Sequence, residues 1–253
     1  MIGGVCRQLT RLAVSASKSQ HARGMATGKF LPAKDHPWLS KVEAPASFKP
    51  EERILTFLAA NAAAGNLKNV EQDWIHLPPS DQAKGLEVVL QAQLLAGFPR
   101  TLNALTKIHE IGVSADVSKQ LEEKRDLFKW RNDGRELLHA VYGEASDKMR
   151  ANFKKIHPLL ESVLTEHLYG RVLSRPLVGR RMRELCTLSI ISGQNLPIQL
   201  VSHLRGAIRV GASREEVVCV INQTGLIWGP AALSQAVNVR DVRWPAGHSF
   251  QDN

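Results

Sequence analysis

Only three of the 253 residues are cysteine, Cys6, Cys186 and Cys219, and they form no CxxC pair. That spacing excludes a disulfide framework, a structural zinc site built on thiolates and a dithiol redox centre. Long apolar runs are also missing. No window approaches eighteen uninterrupted apolar residues, so no membrane span is expected. Aromatic residues make up 6% of the chain, while hydrophobic residues reach 43%, an ordinary share for a globular protein. Acidic residues are absent before Asp35, although six Lys or Arg (Arg7, Arg11, Lys18, Arg23, Lys29, Lys34) lie in that stretch.

The absence of early acids changes the meaning of the net charge of +9. Without residues 1–34 the balance is 27 basic against 24 acidic residues. Most of the basicity therefore belongs to a leader, and a nucleic-acid face is not indicated once that leader is set aside. The leader also carries Ser15, Ser17 and Ser19, with Leu9, Leu12 and Ala13 among its arginines. Basic, hydroxylated and acid-free is the composition of a mitochondrial transit peptide, and a matrix location is the expectation. A disordered basic leader has the same composition.

Beyond it, residues 35–50 with Pro37, Pro45 and Pro50 read as an extended lead-in. Residues 51–65 then read as a helix with acids in the first turn and Gly65 at its end. A short helix near Val70–Leu77, a third from Ser80 and a fourth over 101–112 complete a first helical unit, 51–113. Residues 114–134 are highly charged and read as a solvated helix or connector. Residues 146–170 read as one helix kinked by Pro158 near Lys154. His157 and Glu161 are four residues apart on it, but no third ligand is apparent, so no metal site is expected. Residues 241–253 read as a polar tail.

The richest stretch is 180–211. Leu185, Leu188 and Ile191 mark the buried stripe of one helix, which Gly193 stops. Pro197 can open the next, where Leu200, Leu204, Ala207 and Ile208 form one face and Gly211 ends the run. His203 sits beside that face, at the border between core and surface. There it is either a partly desolvated proton carrier or a histidine bonded to a backbone carbonyl.

The helical order also recurs. Shifting 183–236 back by 131 positions lays it on 52–105 without a gap, Thr187 on Thr56, Leu185 on Ile54 and Pro230 on Pro99. The fold class expected is all-α, with two helical units in tandem forming a pseudo-dimer.

The runs TEHLYGRVLSRPLVGRRMRELCTL (165–188), HLRGAIRVG (203–211) and GPAAL (229–233), with a weaker GRELLHAVYGEA (134–145), resemble the carboxymuconolactone decarboxylase family. The resemblance implies one complete unit of that fold over 114–240 and a degenerate one over 51–113. It also implies a cofactor-free lyase acting on a small carboxylated lactone or related organic acid. His203, the histidine of the family's HxRGAxR motif, would donate the proton. Arg183, Arg175 or Arg205 would clamp the substrate carboxylates. Such half-units leave apolar faces to cover, so the partners expected are further copies of the chain or a mitochondrial assembly.

Some positions depart from the pattern. Val218 or Cys219 stands where the family places a glutamate, and Tyr169 and Leu173 stand where tryptophan is common. In the first unit Glu87 fills the glutamate position, as a possible proton relay, while Gln72 replaces the histidine. These departures leave a second function open, a catalytically inactive structural or accessory subunit of a mitochondrial complex.

Overall fold

The computed structural model describes residues 30–113 and 117–245. The leader, up to residue 29, and the tail from residue 246 lie outside the described residues. Among those described, every regular element is helical.

Helix α1, Pro50–Ala64, opens with proline at its first position and with Glu51 and Glu52 in its first turn. The Lys49 N–H donates to Glu52 Oε2 at 3.2 Å, and Gly65 ends the helix with φ 76°. Its middle, Ile54 to Ala63, is buried all round, which makes α1 a central helix rather than an amphipathic surface one. Around it lie α2 (Leu67–His76), α3 (Gln82–Ala96) and α4 (Phe98–Ile111). A short turn of helix, α5 (Val117–Gln120), leads to α6 (Leu127–Tyr142), whose N-cap Asp126 accepts from the Lys129 N–H at 2.9 Å.

Three features differ from the sequence expectation. The charged stretch is helical from Leu127, one of its two expected forms, but it is not wholly solvated, since its Gly134 is buried. The helix expected over 146–170 is broken, not kinked. Helix α7 (Ala145–Ile156) stops at His157, which is extended (φ −155°, ψ 133°) because the following proline excludes the α region. The chain then re-enters helix as α8, an α-helical turn (Leu160–Ser162) continuing as a π-helix (Val163–Leu173). The lead-in is not simply extended either. It makes two 3-10 turns, Ala33–Asp35 and Leu39–Lys41. Between them the buried His36 pairs with Asp73 at 2.9 Å, while Asp73 also accepts from Asn61 Nδ2 at 2.7 Å. Burial pushes the Asp73 carboxyl above the usual aspartate range, against the pull of His36.

Four further helices follow: α9 (Arg180–Ile191), α10 (Pro197–Arg209), α11 (Arg214–Ile227) and α12 (Pro230–Arg243). Ser213 and Glu216 form a capping box at the start of α11. Helix α12 reaches into the expected polar tail. The following Trp244 is buried, with the Arg214 guanidinium 4.3 Å from its ring centroid.

The packing of α1–α4 recurs in α9–α12, and α1 and α9 meet at the centre. Cys186 Sγ donates to Leu55 O at 3.7 Å, and these two positions coincide under the 131-residue shift. Thr56 Oγ1 donates to Gln223 Oε1 at 2.9 Å, and Gln91 Nε2 donates to Thr187 Oγ1 at 2.9 Å. The two threonines are equivalents under the shift, and each is bonded to a glutamine of the other helical set. Such reciprocity is consistent with the tandem, pseudo-dimeric arrangement. One apolar core runs through both sets, from Ile54 and Trp74 to Leu188 and Val220.

A smaller core joins α6 and α8 through Leu137, Leu138, Val141, Tyr169 and Leu173. Two glycines set that contact. A Cβ on Gly134 would collide with the Thr165 carbonyl oxygen, and one on Gly170 with the Trp130 carbonyl oxygen. The backbones of α6 and α8 therefore touch directly, and this fixes the wall that stands beside α10.

Candidate functional site

Helix α9 buries two adjacent charges, Arg183 and Glu184, at 2% and 3% exposure. Consecutive residues diverge by about 100° around a helix, so the two serve different neighbours. Glu184 turns to α10, where its Oε2 accepts from His203 Nδ1–H at 2.7 Å. The Nδ1 hydrogen is assigned from its carboxylate partner. His203 is 8% exposed.

The close approach of α9 to α10 depends on Gly206, three residues after His203. A Cβ there would sit 2.6 Å from Val141 Cγ1 and 3.0 Å from Glu184 Oε2. Tyr142, at the end of α6, stands edge-on to the imidazole, ring centroids 6.2 Å apart and planes at 68°. Its hydroxyl lies 2.9 Å from that of Tyr169 on α8. Burial is the main reason the Tyr142 phenol is pushed up to about 12, and the Glu184 charge adds to it. Tyr169 is raised for the same reasons.

A carboxylate on Nδ1 does three things for an imidazole. It fixes the tautomer, holds the ring plane, and stabilises the imidazolium, leaving Nε2 to exchange a proton with a bound molecule. The geometry thus gives His203 a partner that suits it to acid–base work.

Arg183 turns the other way. Its Nη2 donates to Glu87 Oε2 at 2.7 Å and its Nη1 to the Glu87 carbonyl at 3.2 Å, both on α3. Arg175 Nε donates to Glu87 Oε1 at 2.7 Å. Arg175, Arg183 and Glu87 are therefore brought together in one buried cluster, and His203 is paired elsewhere. Burial pulls the Arg183 pKa below its ordinary value, and the Glu87 carboxylate opposes that pull.

The sequence reading placed an arginine opposite His203. Both oxygens of Glu87 are instead engaged by the two arginines, and the positive charge left over faces Glu123, whose Oε1 is 3.6 Å from Arg175 Nη1. Arg205, half-buried on α10, is the predicted arginine that shares a helix with His203. On the same helix Arg209 donates to the Val141 carbonyl at 3.2 Å, and its guanidinium packs over Gly143.

The carboxylate that meets His203 is Glu184 on α9, and not a residue near 218. The position examined, Cys219, is a buried thiol raised by desolvation, with Gln223 Nε2 3.7 Å from its sulfur. Sequence reasoning missed Glu184, Tyr142 and Tyr169 as neighbours of His203. One signal was available, the glycine of HLRG at a spacing that opens the face of α10 to a side chain from α9.

A cavity of about 470 Å³ lies away from this pair, lined by Ser47, Lys49, Glu51, Glu52, Asp81, Lys84, Arg181 and Glu216. Arg181 bridges its two sides, donating to Glu52 at 2.8 Å and to both Glu216 oxygens. No described helix is long and apolar enough to cross a membrane.

Fold and site together define an all-α protein with a buried histidine–glutamate pair between α9 and α10. Residues 158–240, about a third of the chain, match the model of the carboxymuconolactone decarboxylase family. The chain is 25% identical over 157 residues to a protein of Schizosaccharomyces pombe named Peroxisomal protein 2, covering 58% of this chain and 70% of that one. It is 25% identical over 164 residues to a Saccharomyces cerevisiae protein of the same name, covering 54% and 58%. It is also similar to the nitrosuccinic acid decarboxylase npaB of Metarhizium robertsii, 32% identical over 79 residues, covering 31% of this chain and 55% of that enzyme.

Proposed function

We propose that the chain is a cofactor-free carboxy-lyase acting on a small carboxylated lactone or related organic acid, with His203 as proton donor. The observation that carries this is the 2.7 Å bond that His203 Nδ1–H donates to the buried Glu184 carboxylate. In the reaction the bond from carbon to the departing carboxylate breaks, carbon dioxide leaves, and the electron pair flows into a conjugated acceptor. His203 Nε2–H then protonates the carbon and recovers its proton from water. Of the arginines expected to clamp the substrate carboxylates, Arg175 and Arg183 are bound to Glu87, and Arg205 lies two residues from His203, about 200° around α10.

The name of the Metarhizium relative supports decarboxylation as the reaction and admits a nitro group as an acceptor. Purified chain is to be assayed for carbon dioxide release on carboxylated lactones and nitro-substituted dicarboxylic acids. Turnover by the wild type that disappears in His203→Ala, with the fold intact, supports the reading. Absence of turnover on the whole panel overturns it.

A second reading is favoured by the engagement of Arg175 and Arg183 with Glu87 and by a cavity of about 470 Å³ that lies away from His203. In that reading the chain is an inactive structural or accessory subunit of a mitochondrial complex. Its native size separates the two, a small homo-oligomer for the enzyme and a large particle for the subunit. The acid-free, basic first 34 residues support a mitochondrial matrix location. The yeast relatives' names point to the peroxisome. Immunofluorescence of the untagged chain against markers of both compartments decides between them.

A further inference from the structure

We propose that Tyr142 is a second substrate-contacting group of the His203 site, donating its hydroxyl proton in a hydrogen bond to the oxygen of the electron acceptor. This rests on the decarboxylase reading. The argument begins with Tyr169, whose side chain is buried and whose hydroxyl is 2.9 Å from the Tyr142 hydroxyl. Among the described residues, Tyr142 is the hydrogen-bond partner of that hydroxyl. A buried O–H that donates to nothing carries the full desolvation penalty, so Tyr169 is the donor and the Tyr142 oxygen accepts.

The Tyr142 proton is then left unspent, on a residue that is only half-buried and whose ring touches the His203 imidazole edge-on. With the phenol pushed up to about 12, the group is a neutral donor across the physiological range and cannot serve as a base. Accepting a bond from Tyr169 makes the Tyr142 hydroxyl a better donor in turn, because chained hydroxyls polarise one another.

The division of labour follows from charge flow. When the carboxylate leaves, the electron pair spreads to an enolate or nitronate oxygen, and a fixed donor there lowers the barrier. Tyr142 holds that oxygen without giving up its proton. His203 Nε2 delivers the proton to carbon. No oxidant or further reactant enters.

The nitronate of nitropropionate mimics the charge-separated state after carbon dioxide loss. Its affinity is measured by calorimetry on the full chain, at an alkaline pH still below the Tyr142 value, for wild type, Tyr142→Phe and Tyr169→Phe. Thermal melts of each variant accompany the titrations. The expected result is a loss of about 10- to 100-fold for Tyr142→Phe and less than about 3-fold for Tyr169→Phe, which keeps the donor and loses only its support. Equal affinity of Tyr142→Phe and wild type overturns the tyrosine role and leaves the lyase standing. Equal losses in both variants reduce the pair to a structural contact and also overturn it. No binding by wild type overturns the tyrosine role, while the lyase reading stands or falls on the turnover panel.

Discussion

Replacing Gly206 by alanine tests whether the histidine–glutamate pair depends on the bare backbone of α10. An ordinary Gly→Ala change inside a helix stabilises by about 1 kcal/mol through propensity. Here the new methyl meets Val141 Cγ1 at 2.6 Å and Glu184 Oε2 at 3.0 Å. Comfortable carbon contacts begin near 3.5 Å, so about an ångström must be absorbed on the Val141 side. Val141 is β-branched and fully buried, and offers little rotation as relief.

Overpacking of this kind typically costs about 1–3 kcal/mol. After the propensity gain, the net loss is about 0–2 kcal/mol, or a fall in Tm of a few degrees for a chain of this size. The larger effect falls on Glu184, whose oxygen must retreat by a few tenths of an ångström and so lose its grip on His203 Nδ1. Turnover is expected to fall about tenfold or more, out of proportion to the melt. The assay pairs a calorimetric melt with an NMR measurement of His203 Nδ1–H exchange. A Tm raised by about the propensity gain, with Nδ1–H protection unchanged, would refute the reasoning.

Glu87→Ala strips the carboxylate from the buried Arg183 and the half-buried Arg175, and is expected to destabilise by roughly 3–5 kcal/mol in denaturant melts. Gly170→Ala forces apart the α6 and α8 backbones, so soluble yield and Tm should fall far more than for any exposed Gly→Ala change. In a Cys6→Ser background, the native chain should show no fast-reacting thiol at pH 8, because burial pushes Cys186 up to about 12 and raises Cys219. Burial raises the Glu216 carboxyl, but hydrogen bonds from Arg181 and the Ser213 N–H, with the Arg181 charge, outweigh it and hold it below its usual value. Its stabilisation is complete above the unfolded value near ~4.3 and is lost as pH falls through the folded one. Tm should therefore drop between about pH 5 and 3, and Glu216→Gln should flatten that drop.

Local chemistry was legible in the sequence, and cross-chain chemistry was not. Pro50, Gly65, Pro197 and the Ser213–Glu216 box mark helix ends by rules that act within a few residues, and those ends stand where the rules put them. His203 was legible for the same reason, since its place beside Leu204 follows from helical spacing. Glu184 was not, because a charge in the first turns of a helix reads as a solvated residue until a partner 19 positions away is known. The bond from Arg183 to Glu87 spans 96 residues, and one sequence holds no record of that pairing. The break at His157 was missed because Pro158 was read for the donor it removes, not for the constraint it puts on the residue before it.

The crossed threonine–glutamine bonds, Thr56 to Gln223 and Gln91 to Thr187, have a consequence for how the chain tolerates change. In a homodimer every substitution strikes twice, so a surface that joins two copies and a pocket within each copy cannot drift apart. Two helical sets in one polypeptide are free of that coupling. The seam can be kept by a threonine and a glutamine in each half, while the position of His203 in one half is held by Gln72 in the other. Severing the chain between α4 and α6 should therefore yield fragments that are insoluble alone and recover structure when mixed.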